Sequence, residues 1–217
     1  MTHRLARRRA TLLMVCTAAV FGVAACSTDA SLASGQSLPS TGSSQSAQVR
    51  MSGGYVMNED GTLQQPETNA TVPKLNPAAL QFTPEGAELA ARHFLALTEY
   101  AWATGDTQPM KNFSSEECSP CQTMAKDIEA LYSSGGWATG LAYRVVSTLK
   151  VDQVSGLSEA NDTYGVLLDV EDIGGTTYEN ETLSSTSTVS ETVGMFLKWH
   201  DNSWLVNGLS TQPSEKN

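Results

Sequence analysis

The chain has 217 residues, with 13 lysines and arginines against 23 acidic residues and 40% hydrophobic content. A leading segment and a linker leave room for one domain of about 140 residues, enough to bury a core without metals or many disulfides. The formal charge of −10 excludes a general nucleic-acid binder, which needs a basic face to neutralise phosphates, so no nucleic-acid partner is expected.

Residues 1–25 carry Arg4, Arg7, Arg8 and Arg9 without an acidic residue, followed by the apolar run from Ala10 to Gly22. This is the layout of a secretory signal, and the run is short for a spanning helix, which wants roughly 20 residues. Val23-Ala24-Ala25-Cys26-Ser27 resembles the bacterial lipobox. The resemblance implies cleavage just before Cys26 and a diacylglycerol on its thiol, hence a lipid anchor on the outer face of the cell membrane. An ordinary signal peptide and an uncleaved membrane helix are the alternatives. Loss of the four arginines leaves nine basic residues against 23 acidic. Anionic lipid heads repel such a domain, so the tether rather than surface charge must hold it at the membrane. The acidic residues are scattered and show no calcium-loop spacing, which favours a solvated surface over divalent-cation binding.

Residues 26–76 read as a flexible linker. Ser31 to Gln48 holds seven serines, and no charged residue lies between Asp29 and Arg50. A segment of this kind buries too little apolar surface to offset its ordering entropy. Gly53-Gly54, Pro66, Pro73 and Pro77 continue the irregular character. A flexible chain of about 50 residues spans on the order of 40 Å root-mean-square, which suits a spacer. Asn69-Ala70-Thr71 and Asn112-Phe113-Ser114 fit the glycosylation sequon but are discounted on the bacterial lipobox.

Organisation is expected over residues 77–211, with 212–217 as a tail. Thr83-Pro84-Glu85 has the cap residue, proline and acid of a helix start. Ala87, Ala90, Ala91, Phe94, Leu95, Leu97, Ala101 and Trp102 then fall close to a helical stripe, which Thr104-Gly105-Asp106 ends. Thr107 to Glu117 reads as a loop. A second helix opens at Ser119-Pro120, carries Cys121, Met124, Ile128 and Leu131 on one face, and stops at Gly135-Gly136. Beyond Trp137 the period changes to that of strands: Leu141 to Val151; Val166, Leu168 and Val170; Met195, Leu197 and Trp199. A tight turn at Asp201-Asn202 leads to Trp204, Val206 and Gly208, while the polar Thr176 to Val189 reads as an exposed edge hairpin. Helices followed by antiparallel strands predict an α+β domain, with the N-terminal helices packed on one face of a curved sheet.

The order of elements, with a long first helix and a closing hairpin bearing Trp199 and Trp204, resembles the nuclear transport factor 2-like cone fold. The Thr83-Pro84-Glu85-Gly86 start, the Thr104-Gly105-Asp106 stop and Cys118-Ser119-Pro120-Cys121 followed by Gly135-Gly136 are similar to a family of actinobacterial lipoproteins. The resemblance covers residues 73 to 210 and implies a fold and a location; it carries no activity.

Cys118 and Cys121 stand three apart at a helix N-terminus, where the helix dipole favours a thiolate. A thiol–disulfide oxidoreductase normally sets such a pair after a strand, whereas here a helix and a loop precede it, and Glu116 and Glu117 raise the thiol pKa. The favoured reading is a structural disulfide, permitted in an exported protein and contributing about 2 kcal/mol for so short a loop. A zinc site needs two further ligands, and haem attachment needs His where Gln122 stands. His93 and His200 fall in no nucleophile or metal pattern, and no Gly-x-Ser-x-Gly elbow, phosphate loop or His-Glu-x-x-His occurs. Trp102, Trp137, Trp199 and Trp204 read as core in preference to a ligand pocket. No catalytic residue, metal or cofactor is therefore expected. The leading expectation is a non-enzymatic module that binds an envelope protein or small ligand. An enzyme or small-ligand carrier using a pocket in the open end of the cone comes second, with Asp169 and Glu171 alternating away from the apolar face, and thiol exchange third.

Overall fold

Thr83 starts a helix of 21 residues by two local devices. Its hydroxyl accepts the Gly86 N–H at 3.0 Å, and Pro84 supplies a first-turn residue that needs no N–H partner. The computed structural model describes residues 49–155 and 162–214. Helix α1 (Pro84–Thr104) ends at Gly105, whose φ of 78° is left-handed and whose missing Cβ admits the Tyr132 ring, 2.6 Å from where that carbon would stand. Helix α2 (Gln108–Asn112) lies inside the stretch the sequence reads as a loop. Five residues with a proline in the first turn are too few to show a helical period. Helix α3 (Ser119–Ser133) buries Cys121, Ala125, Ile128 and Leu131.

Among the described residues the strands form two sheets and a hairpin. Strands β4 (Tyr143–Gln153), β5 (Thr163–Asp172), β8 (Val189–His200) and β9 (Ser203–Pro213) make an antiparallel sheet in the order β4-β5-β8-β9. Its inner face, with Val166, Leu168, Val193, Leu197 and Val206, is buried against Ala87, Ala90, Phe94 and Leu97 of α1 and Ile128 of α3. The β8–β9 turn is the two-residue Asp201-Asn202, both at positive φ (48° and 59°), which matches the twist of the strands. A smaller sheet joins β3 (Trp137–Thr139), β6 (Thr176–Glu179) and β7 (Thr182–Ser185) in the order β3-β6-β7. The molecule is thus an α+β domain with helices packed against antiparallel sheet.

The structure differs from the sequence expectation at both ends of the domain. Within the segment expected as linker, β1 (Arg50–Ser52) and β2 (Tyr55–Met57) form a hairpin. Leu63 is buried, and its carbonyl accepts the Trp137 indole N–H at 3.1 Å. The Tyr55 and Tyr178 rings lie 5.0 and 5.5 Å from that of Trp137. A few apolar residues suffice to order this arm because the small sheet has two large rings to cover. Before α1, Asn76 caps a 3-10 turn, Pro77–Ala79. At the other end Gln212 and Pro213 continue β9, and the Ser214 hydroxyl donates to Asp169 Oδ1 at 2.9 Å, so residues 212–214 belong to the fold and not to the expected tail.

Candidate functional site

The outer face of the four-stranded sheet exposes large apolar side chains over a floor of glycines. On β8, Phe196 stands between Gly165 of β5 and Gly208 of β9. Cβ atoms built there would lie 3.8 and 3.0 Å from its ring, so the ring spans the two backbones. The next pair reverses the arrangement: Leu167 of β5 faces Gly194 of β8, whose added Cβ would meet Leu167 Cδ2 at 3.1 Å. Phe196 remains 54% exposed and Leu167 38%. Between them, Lys150, Asp152 and Ser210 lies a groove of about 440 Å³. Two register shifts in β4 leave Val146 and Leu149 as extra residues, and both are more than half exposed.

Two ion pairs lie on this face. Lys150 Nζ lies 2.8 Å from Asp152 Oδ2, and Arg144 pairs with Glu171. The apolar strip therefore sits in a locally balanced field on a strongly acidic protein, where a partner can approach without the repulsion that operates elsewhere. Asp169 and Glu171 belong to this outer face, consistent with their alternation in the sequence.

The inner face is closed at its middle by core side chains and differs at its two ends. At one end Glu99 of α1 accepts the Tyr143 backbone N–H at 2.6 Å, and Asp172 and Glu191 stand close enough to interact with the Tyr143 side chain. Burial raises the Glu99 carboxyl above its ordinary range. Burial and then the Asp172 charge do the same at Glu191, and burial backed by three carboxylates pushes the Tyr143 phenol up. At the other end four rings gather, Phe82, Tyr164, Trp199 and Trp204, with neighbouring centroids 4.8 to 5.9 Å apart. Along one edge, Glu88 accepts from Thr148 and Arg92, and these contacts hold its carboxyl below the usual range.

Cys26 lies outside the described residues. Cys118 and Cys121 have their sulfurs at bonding distance, 1.98 Å, and are 0% and 1% exposed. They close the first turn of α3, and the segment just before it bonds to β9, with the Phe113 carbonyl and Ser115 N–H on Val206 and the Ser115 hydroxyl donating to Asn207 Oδ1 at 2.7 Å. Sulfurs buried this deeply are poorly placed for exchange with a substrate thiol. His93 packs edge-on to Phe113 with its pKa lowered by burial, and His200 sits beside Asp201 at the exposed turn. Trp137 and Trp204 are core residues; Trp102 and Trp199 are partly buried against it. Among the described residues no group of His, Cys, Asp or Glu is arranged to hold a metal ion, and no helix is long and apolar enough to cross a membrane. Sequence reasoning missed Phe82, whose loop shows no period, and the pairing of Phe196 with glycines, which needs the strand register.

Residues 57–210 match a family described as "Family of unknown function (DUF6318)". Among the curated proteins none matches the sequence. In backbone course the chain is similar to the intermembrane-space region of the chloroplast protein ARC6 (13% identity, TM-score 0.46, covering 62% of this chain and 99% of that one). It is also similar to an NTF2-like protein of unknown function from Shewanella baltica OS155 (13%, TM-score 0.36, covering 61% and 98%). A third likeness is to an NTF2-like protein from Anabaena variabilis ATCC 29413 (9%, TM-score 0.34, covering 63% and 94%).

Proposed function

The chain belongs to that family of unknown function, DUF6318, and from its own surface we propose that it is a non-enzymatic binding module of the bacterial cell envelope. In this reading a lipid on Cys26 holds it at the outer face of the membrane, and the outer face of its sheet docks a protein partner. The observation that carries the reading is Phe196, 54% exposed across Gly165 and Gly208 beside Leu167. Contiguous apolar surface kept in water is costly unless something covers it, and balanced charges around it lower the barrier to approach. Two further features support a binding rather than a chemical role. The middle of the inner face is filled by core side chains, and the two cysteines are buried together.

A photo-reactive phenylalanine analogue at Phe196 in the full chain, irradiated in its own cells, tests the docking face. A discrete protein adduct is expected at 196, absent when the analogue stands at Val56 and weakened by Leu167→Asp. No adduct at 196 overturns the reading. Cys26→Ala tests the tether separately, since it should move the chain from the membrane fraction to the soluble one.

A further inference from the structure

Trp204 is 1% exposed, and among the described residues its indole nitrogen is the one buried side-chain polar atom without a hydrogen-bond partner. A buried donor left without an acceptor is uncommon and calls for a physical explanation. Around its indole the rings of Trp199, Phe82 and Tyr164 lie with centroids 4.8, 5.6 and 5.8 Å away, and a ring face is a much weaker acceptor than an oxygen.

Three walls of this box belong to the sheet, with Tyr164 on β5, Trp199 on β8 and Trp204 on β9. The fourth, Phe82, comes from the bend ahead of α1 and is 38% exposed. That bend rests on a close approach, because a Cβ on Gly86 would stand 2.1 Å from the Gln81 carbonyl oxygen. Phe82 is thus a ring on a surface segment laid over a rigid aromatic floor that holds an unsatisfied donor.

We propose that this floor is a binding site for a planar ring bearing a carbonyl oxygen, and that Phe82 occupies the ring's place when no ligand is bound. The ring would stack where Phe82 does, and its oxygen would accept the Trp204 N–H. The orphan donor sets the ligand class, since aromatic walls alone would equally suit a quaternary ammonium ion, which offers a buried N–H no acceptor. This site is separate from the outer-face docking surface.

The test titrates the purified full chain, wild type and Phe82→Ala, with acetophenone. Its isostere α-methylstyrene has a methylene where the carbonyl oxygen stands. The readout is the Trp204 indole signal in nitrogen-15 spectra, assigned with Trp204→Phe. Acetophenone should shift that signal, bind Phe82→Ala at least tenfold tighter than wild type, and bind about tenfold tighter than α-methylstyrene, the factor of one net hydrogen bond. Trp204→Phe, which keeps a ring and loses the donor, should abolish the preference between the probes. Equal affinity for the two probes overturns the proposal, as does tetramethylammonium shifting the signal in place of acetophenone. If Phe82→Ala does not fold, the wild-type titration decides alone: a Trp204 shift at higher acetophenone concentration supports the site, and none at saturation overturns it.

Discussion

Gln81 and Gly86 are in contact such that only glycine fits at position 86: a Cβ there would lie 2.1 Å from the Gln81 carbonyl oxygen. The obstacle is backbone and cannot rotate away. Gly86→Ala should therefore destabilise the domain by about 2 kcal/mol, the cost of overpacking, although alanine has the better helix propensity. Urea unfolding followed by circular dichroism measures it, and an unchanged midpoint would contradict the contact.

Phe196 invites the opposite error, since an exposed phenylalanine looks dispensable. Its ring still shields the backbones of Gly165 and Gly208, so Phe196→Ala should cost about 1 kcal/mol from the half of the side chain that is buried. The same unfolding experiment reads it, and the variant should unfold with an unchanged denaturant slope.

The Cys118–Cys121 pair closes the first turn of α3, and the Cys118 N–H donates to the carbonyl of Ser115, whose own N–H bonds to Val206. Replacing both cysteines by serine should lower stability by about 2 kcal/mol. Hydrogen exchange should speed up at Ser115 and Val206 and leave the centre of β5 protected. A uniform loss of protection would assign the pair a role wider than this segment.

Glu99 and Glu191 have carboxyl pKa values raised above 4.5, chiefly by burial. The folded state therefore holds these protons more tightly than the unfolded state, and stability drops as pH rises from 4.5 through the folded values. Glu191→Gln should melt higher than wild type at pH 7 and match it below pH 4.5. Glu88 runs the other way: its lowered pKa gives stability present above 4.5 and lost as pH falls through the folded value. Melting curves across pH 3 to 8 separate the two signs.

Glu181 occupies the second position of the β6–β7 turn at φ 60°, after Asn180 at 48°. Left-handed geometry at both positions favours Asn-Gly, so Glu181→Gly should stabilise by about 0.5–1 kcal/mol. A drop in melting temperature would refute the assignment of the turn.

Much of the fold was legible because it is written in local rules. Thr83, Gly105 and Gly135-Gly136 bound two helices by cap chemistry, and Val166, Leu168 and Val170 alternate onto the core face of β5. The arm at residues 50–66 was not legible, since Tyr55, Met57 and Leu63 are sparse and Leu63 meets Trp137 across 74 positions. In β4 the two shifts near Val146 and Leu149 break the two-residue period. For the candidate sites, alternation already set Phe196 off the core face, but the glycines beneath it come from other strands. The box around Trp204 draws on Phe82, 122 positions earlier in the chain, which no spacing rule connects.

The clasp of Phe113 and Ser115 on Val206 bears on how many copies of this protein can share a small space. A sheet margin is a template on which another chain can zip, and crowding multiplies the chances of that event. Here one margin is occupied at Val206 by the protein's own backbone, while the other is kinked twice along β4. Strand-by-strand growth is therefore hindered at Val206 and along β4, which favours the broad faces, where side chains decide which partner is accepted, as the surfaces through which densely packed copies meet.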